Sequence, residues 1–197
     1  MTTVEYVLGL ADDALVTAQS LAAWCSRSPE MEEDVALANI ALDQLGAARL
    51  LLTYAGELEG RGRDEDALAY QRGDSEFRNA LLVELPEADF AELIAKLLFL
   101  SAYQLPLYRR LSTEDDERLA GIAAKTAKES AYHLDHSSLW TVRLGDGTDE
   151  SRRRMQAAVD GLWPYTHELF EREPRAAWLA TVEPVLAEAT LARPADG

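Results

Sequence analysis

The sequence predicts an all-α protein, and three observations carry that prediction. No segment alternates apolar and polar residues with period two over strand length. Apolar residues instead recur in steps of three and four, as in Val4, Val7, Leu8, Ala11, Leu15, Ala18, Ala22 and Cys25. The long helical stretches come in pairs, and a connection of about 30 residues separates the second from the third, as in bundles with one long crossover.

The first helix follows from the run just named and ends near Ser26 to Pro29. A second helix is expected from about Glu30 to Ala55, stopped by Gly56. Its apolar residues Val35, Leu37, Ile40, Leu42, Leu45, Leu50 and Leu52 spread round most of its circumference, which predicts a central position. Residues Glu57 to Gly73 are rich in Gly, Arg and Asp, and the segments around Asp66 and Phe77 are too short for core helices, so they read as a crossover connection. Pro86 precedes a third long helix from about Glu87 to Leu111, which Pro106 should kink or end early. Ser112 or Thr113, with Asp115 or Asp116 three residues later, should cap a fourth helix that runs to about Leu144, where Gly145-Asp146-Gly147 breaks it. A fifth helix from Thr148 to about Phe170 is expected to bend at Pro164, and a sixth from Pro174 to be interrupted at Pro184. Two tightly joined helices, a long connection and two more helices form the ferritin-like bundle pattern, with the C-terminal helices as additions outside it. The 197 residues are read as one such domain, 1–197.

Charge and cysteine content narrow the function classes. The chain carries 19 Lys plus Arg against 35 Asp plus Glu, a formal net of −16, which repels phosphate backbones and anionic lipid headgroups. Nucleic acid and membrane surfaces are therefore poor partners. Cys25 is the sole cysteine, so neither an internal disulfide nor a thiolate zinc cage can form. The Met1 start lacks a basic segment followed by an apolar run, and no stretch reaches the roughly 20 uninterrupted apolar residues of a membrane helix. A soluble protein in a reducing, cytoplasmic setting is expected.

The three histidines decide how the bundle is read. Di-iron helical bundles supply Glu-x-x-His on each of two helices, because a three-residue step puts carboxylate and imidazole on one face. Here Ser130 stands three before His133, His133 three before His136, and Pro164 three before His167. The motif is broken at each. On the second helix Asn39, Asp43 and Gly46 share a face, and Gly46 falls where the histidine following Asp43 would stand. Asp12 lies at the edge of the first helix's apolar stripe, four after Leu8 and three before Leu15. Asp12, Asp43, Glu129 and His133 could together form a polar cluster; oxygen and imidazole ligands would suit iron or manganese. The stronger reading is a salt-bridged or hydrogen-bonded remnant of a lost site, since buried polar groups find partners and buried carboxylates usually pair with Arg or His.

Other motifs have structural readings. Gly145 to Glu150 suggests a calcium loop, but a loop begun at Asp146 has Ser151 at position 6 and Ala157 at position 12, so it is a helix stop and N-cap. Trp140, Trp163 and Trp178, with Tyr103, Tyr108, Tyr132 and Tyr165, read as core or interface aromatics. Arg152-Arg153-Arg154 reads as a solvated helix face. No Gly-rich phosphate loop and no G-x-S-x-G elbow occurs.

The stretches EEDVALANIALDQLGAARLLLTYAG, FRNALLVELP, AAKTAKESAYHLDHSSLWTVRLGDGTDESRRRMQAA and LWPYTHELF resemble the C subunits of bacterial ring-1,2-phenylacetyl-CoA epoxidases. The likeness runs from about Leu8 to about Leu191, and Asp43-x-x-Gly46, the YHxxHSS run at Tyr132 to Ser138 and the RLGDGT turn carry it. It implies a ferritin-like fold that has lost its metal and supports a homologous catalytic A subunit, which bears the di-iron centre. The A subunit epoxidises phenylacetyl-CoA with dioxygen and holds most of the substrate. A small B subunit and a reductase bearing flavin and iron–sulfur groups, which delivers electrons from NADPH, complete the assembly. Family members continue beyond the LARPADG end, so this chain looks shortened at its C-terminus. Two other readings stand beside this one: a metal-dependent oxygenase using Asp12, Asp43, Glu129 and His133, and a helical module binding a small ligand in a large apolar pocket.

Overall fold

The computed structural model describes residues 3–171 and 174–195. Met1, on which the reading of the N-terminus rests, and Asp196 and Gly197, which close the LARPADG end, lie outside the described residues. Among the described residues there is no strand. The helices are α1 (Thr3–Ala23), α2 (Met31–Glu59), α3 (Glu65–Tyr70), α4 (Leu81–Glu84), α5 (Phe90–Leu111), α6 (Glu117–Gly145), α7 (Asp149–Leu162) and α8 (Arg175–Glu188), with 3-10 segments at Asp74–Glu76 and Trp163–Glu171. They pack as two compact units, Met1–Glu84 with Leu111–Thr126, and Leu85–Arg110 with Ala127–Gly197.

In the first unit α1 and α2 form the central pair. Small residues let them approach closely: Ala14 meets Ala47 and Ala48, with Leu15 packed against them. Asp34 holds the turn before α2 by accepting the Ser26 N–H at 2.9 Å and the Ser28 N–H at 3.2 Å. The stop of α2 is Gly60, not Gly56. Gly60 takes the left-handed conformation (φ 67°) that only glycine adopts freely, and its N–H reaches the Gly56 carbonyl at 3.2 Å. Gly56 lies one turn earlier because the Arg63 carbonyl packs against it, 2.3 Å from where a Cβ would stand. The expected all-round burial of α2 is also corrected. Leu37, Ile40, Leu51 and Leu52 are buried, but Val35, Leu42, Leu45 and Leu50 are exposed, so α2 carries a second apolar face that this chain leaves open.

The connection between α2 and α5 contributes only short helices, as its composition implied. Asp64 caps α3 by accepting the Ala67 N–H at 2.8 Å, and Leu68, Leu82 and Val83 are the buried anchors of the connection. The cap of α6 is Asp116, whose carboxylate accepts the Leu119 N–H at 3.0 Å, while Ser112 and Thr113 lie in the preceding turn.

In the second unit α5 is buried along nearly its whole length. Asp89 caps it through the N–H groups of Ala91 (3.0 Å) and Glu92 (3.1 Å). Pro106 neither ends nor interrupts it, and α8 likewise runs unbroken through Pro184. One lost backbone bond is tolerated in a helix held by packing. Phe99, Trp163, Phe170 and Trp178 form one aromatic cluster with centroids 5.2–5.7 Å apart, and the Trp178 indole N–H donates to the Phe99 carbonyl at 2.9 Å. The bend expected at Pro164 is a change to 3-10 geometry from Trp163. Thr148 caps α7, its hydroxyl accepting the Ser151 N–H at 3.1 Å, and Gly145 lets the Ala189 carbonyl approach to 2.2 Å from a would-be Cβ. Tyr132 and Tyr165 are exposed, whereas Trp140, Tyr103 and Tyr108 are buried. By length and composition alone α2 and α5 could each cross a membrane; the most apolar window of α5 is 83% buried within the fold, as a core helix is.

Candidate functional site

Asp12 sits on the third turn of α1, among the apolar residues that face the core, and its side chain is fully buried. Both of its oxygens are engaged. Arg72, its side chain 1% exposed, forks onto them, with Nη1 2.9 Å from Oδ2 and Nη2 bonded to Oδ1. The Arg78 N–H adds a third bond to Oδ2 at 2.9 Å. Its neighbour Asp13 accepts the Ala80 N–H at 2.7 Å. The two aspartates thus pin the connection onto α1, and the Arg72 guanidinium stacks on the Phe77 ring with its carbon 4.2 Å from the centroid. A carboxylate pair on the inner face of α1 would be costly to bury alone; the guanidinium and two backbone donors supply the compensation.

On α2, Asp43 is half-buried and Gly46 follows three residues on. A Cβ built at Gly46 would meet only the Lys125 Nζ, at 3.9 Å, so no backbone crowding requires glycine there.

In the second unit, Glu129 and His133 lie one turn apart on α6. His133 is buried and Glu129 half-buried. The buried face of α6 here is a ladder of polar residues, Ser130, His133, Ser137 and Thr141. Ser137 returns its hydroxyl to the His133 carbonyl at 2.8 Å, and Thr141 to that of Ser137 at 2.8 Å. His136 is half-buried and stacks on the exposed Tyr132, with centroids 6.4 Å apart at 26°. Asp12 and Asp43 therefore belong to the first unit, and Glu129 and His133 to the second. Among the described residues no group of three or more His, Cys, Asp or Glu side chains is placed to hold a metal ion.

Two polar contacts were invisible from spacing. Tyr54 on α2 donates its hydroxyl to the Asp116 carboxylate at the start of α6. That bond, followed by burial, pushes the phenol up to about 12. The N–H of Leu119 and then the Tyr54 hydroxyl hold Asp116 below the usual carboxylate range. In the second unit the buried Lys96 ammonium bonds the Leu85 carbonyl and the Glu87 carboxylate, fixing the approach to α5.

An all-α chain of paired long helices with one long, pinned connection is a ferritin-like protein, and its inner faces carry an ion pair and hydroxyls. The chain belongs to the phenylacetic acid catabolic protein family, whose pattern matches residues 1–176. It is similar to the C subunit of the 1,2-phenylacetyl-CoA epoxidase of Escherichia coli (strain K12), with 46% identity over 208 residues, 97% of this chain and 84% of that protein. The resemblance carried by Asp43-x-x-Gly46, YHxxHSS and RLGDGT is thereby borne out.

Proposed function

We propose that this chain is a structural subunit, without a metal centre of its own, of a cytoplasmic multicomponent oxygenase that epoxidises phenylacetyl-CoA in aerobic phenylacetate breakdown. The observation that carries the reading is the engagement of both Asp12 oxygens by Arg72 and the Arg78 N–H. A first-helix carboxylate serves a di-iron centre by turning its oxygens to the metal, whereas here a guanidinium forks onto both oxygens and a backbone N–H takes a third of their roughly four acceptor sites. Gly46 and Ser130, at the positions where Glu-x-x-His would place a ligand histidine and carboxylate, offer neither. The donor set does not fit a di-iron centre. What remains is a rigid helical body whose role is to bind, and the similarity to the C subunit of an epoxidase supports which assembly it joins.

The partners in this reading are a homologous catalytic A subunit, a small B subunit and the reductase. The di-iron centre belongs to the A subunit, the NADPH, flavin and iron–sulfur chemistry to the reductase, and phenylacetyl-CoA is held mainly by the A subunit. The competing oxygenase reading, with Asp12, Asp43, Glu129 and His133 as ligands, would require Asp12 to leave Arg72 buried and unpaired, at a cost of several kcal/mol. Elemental analysis of the purified chain combined with reconstitution decides between them. Substoichiometric iron, manganese and zinc are expected, with epoxidation appearing only when this chain and the A subunit are combined. About two irons per chain, or full epoxidation by the A subunit alone, would overturn the proposal.

A further inference from the structure

The open face of α2 continues into a groove. Met31 (77% exposed), Val35 (58%), Leu42 (64%) and Leu45 (39%), with Ala38, follow one another in steps of three and four along α2. They form a strip about 21 Å long at 1.5 Å per residue. At its C-terminal half the strip borders a cleft of about 620 Å³ between α1, α2 and α3, walled by Leu15, Val16, Leu42, Leu45, Tyr70 and Phe77. Among the described residues lining the cleft none is charged, in a chain of which 27% is charged. Gln19 and Tyr70 carry its only side-chain amide and hydroxyl.

We infer that this strip and cleft are a helix-docking surface, and that the occupant is an α-helix of another subunit, apolar on one face and edged by Lys or Arg. The inference rests on the subunit reading above and adds to it the surface and the chemistry of its partner. Exposed apolar patches of this kind mark protein interaction sites, and an amphipathic helix laid in an apolar groove engages it through anchors spaced three and four apart. The net charge selects the class of occupant. A second copy of this chain would bring another −16 against the first, whereas a helix edged by basic residues meets an uncharged floor on a chain whose net charge attracts it. A small ligand is disfavoured, because such sites fix their ligand with converging polar groups, and the strip extends well past the cleft. The wall is also rigid: Arg72, locked to Asp12, backs the Phe77 ring.

Cys25 lines the cleft, is exposed and is the sole cysteine, so it reports on occupancy directly. N-ethylmaleimide labelling of Cys25 is followed by mass spectrometry in the free chain and in its complex with the A and B subunits, isolated by size exclusion. At least tenfold slower labelling in the complex is expected. The Leu42→Glu/Leu45→Glu variant, altered only at exposed positions, should keep wild-type helicity and Tm but bind at least a hundredfold more weakly. Leu139→Glu, at an equally exposed apolar position on α6 (65%), should bind as wild type. Equal labelling rates in a verified complex, or unchanged binding by the double variant, would overturn the groove inference alone. Failure of the wild-type chain to assemble with either of the other two subunits would overturn the subunit reading, and this inference with it.

Discussion

Asp12 and Arg72, sixty residues apart in sequence, form a bidentate ion pair whose two side chains are shut off from solvent. The pair ties the connection between α2 and α5 to the inner face of α1 and removes a carboxylate from any ligand set. Breaking it from one side leaves the other charge buried. Asp12→Asn should therefore cost about 3–5 kcal/mol in urea unfolding, whereas Asp12→Leu/Arg72→Met should cost markedly less, since it removes both charges. A double variant no more stable than Asp12→Asn would show that shape, not charge compensation, governs this contact.

The tie between Tyr54 and Asp116 makes a pH-dependent prediction. The folded phenol is raised from 10 to about 12, so it holds its proton more tightly than the unfolded one. Its contribution is fully present below pH 10 and is lost as pH rises through about 12. On the acid side Asp116, held low, contributes above its ordinary range and loses that contribution as pH falls. Tyr54→Phe should lower stability at neutral pH by about 1.5–3 kcal/mol, the worth of a hydrogen bond to a charged group. It should also flatten the alkaline limb of Tm against pH. An alkaline limb unchanged by the substitution would place the titrating group elsewhere.

The long helices were legible because apolar residues recurring every three or four positions need no partner to be seen: α1, α2, α5 and α6 fall close to the expected spans. Single residues were less so. Composition points to Gly56 as the stop of α2, whereas the Arg63 carbonyl packed on Gly56 and the left-handed turn at Gly60 put the stop one turn later. Pro106 and Pro184 look like breaks, yet tertiary packing carries both helices through. The apolarity of α2 was plain, but a pattern cannot say which face this chain covers and which it leaves open. Asp12 was recognisable at the edge of its stripe. Its partner was not, because Arg72 lies in an irregular connection where no periodicity relates it to α1.

Two glycines of α2 give opposite expectations for one substitution. At Gly56 a methyl group would stand 2.3 Å from the Arg63 carbonyl oxygen, so Gly56→Ala must push the connection away and should destabilise the fold. At Gly46 a methyl group would meet only the Lys125 Nζ, at an ordinary contact distance of 3.9 Å, so Gly46→Ala should gain helix propensity worth up to about 1 kcal/mol. Differential scanning calorimetry of both variants checks the pair. A loss of stability at Gly46 would mean that this position serves something other than the helix it occupies.

His133 tests whether the polar ladder of α6 supports structure or chemistry. The residue is 1% exposed, and its carbonyl anchors the Ser137 hydroxyl. Replacing it with Ala removes a buried polar ring and leaves a void, at a cost of about 1–3 kcal/mol in unfolding free energy. Because the proposed role of this chain is to bind and not to react, turnover per assembled epoxidase complex should stay at the wild-type level once the temperature is low enough for the variant to fold. Tm and kcat measured on the same reconstituted preparation separate the outcomes. Unchanged Tm with lost turnover would move His133 from the framework to the substrate or metal chemistry, and would return the oxygenase reading of Asp12, Asp43, Glu129 and His133 to the front.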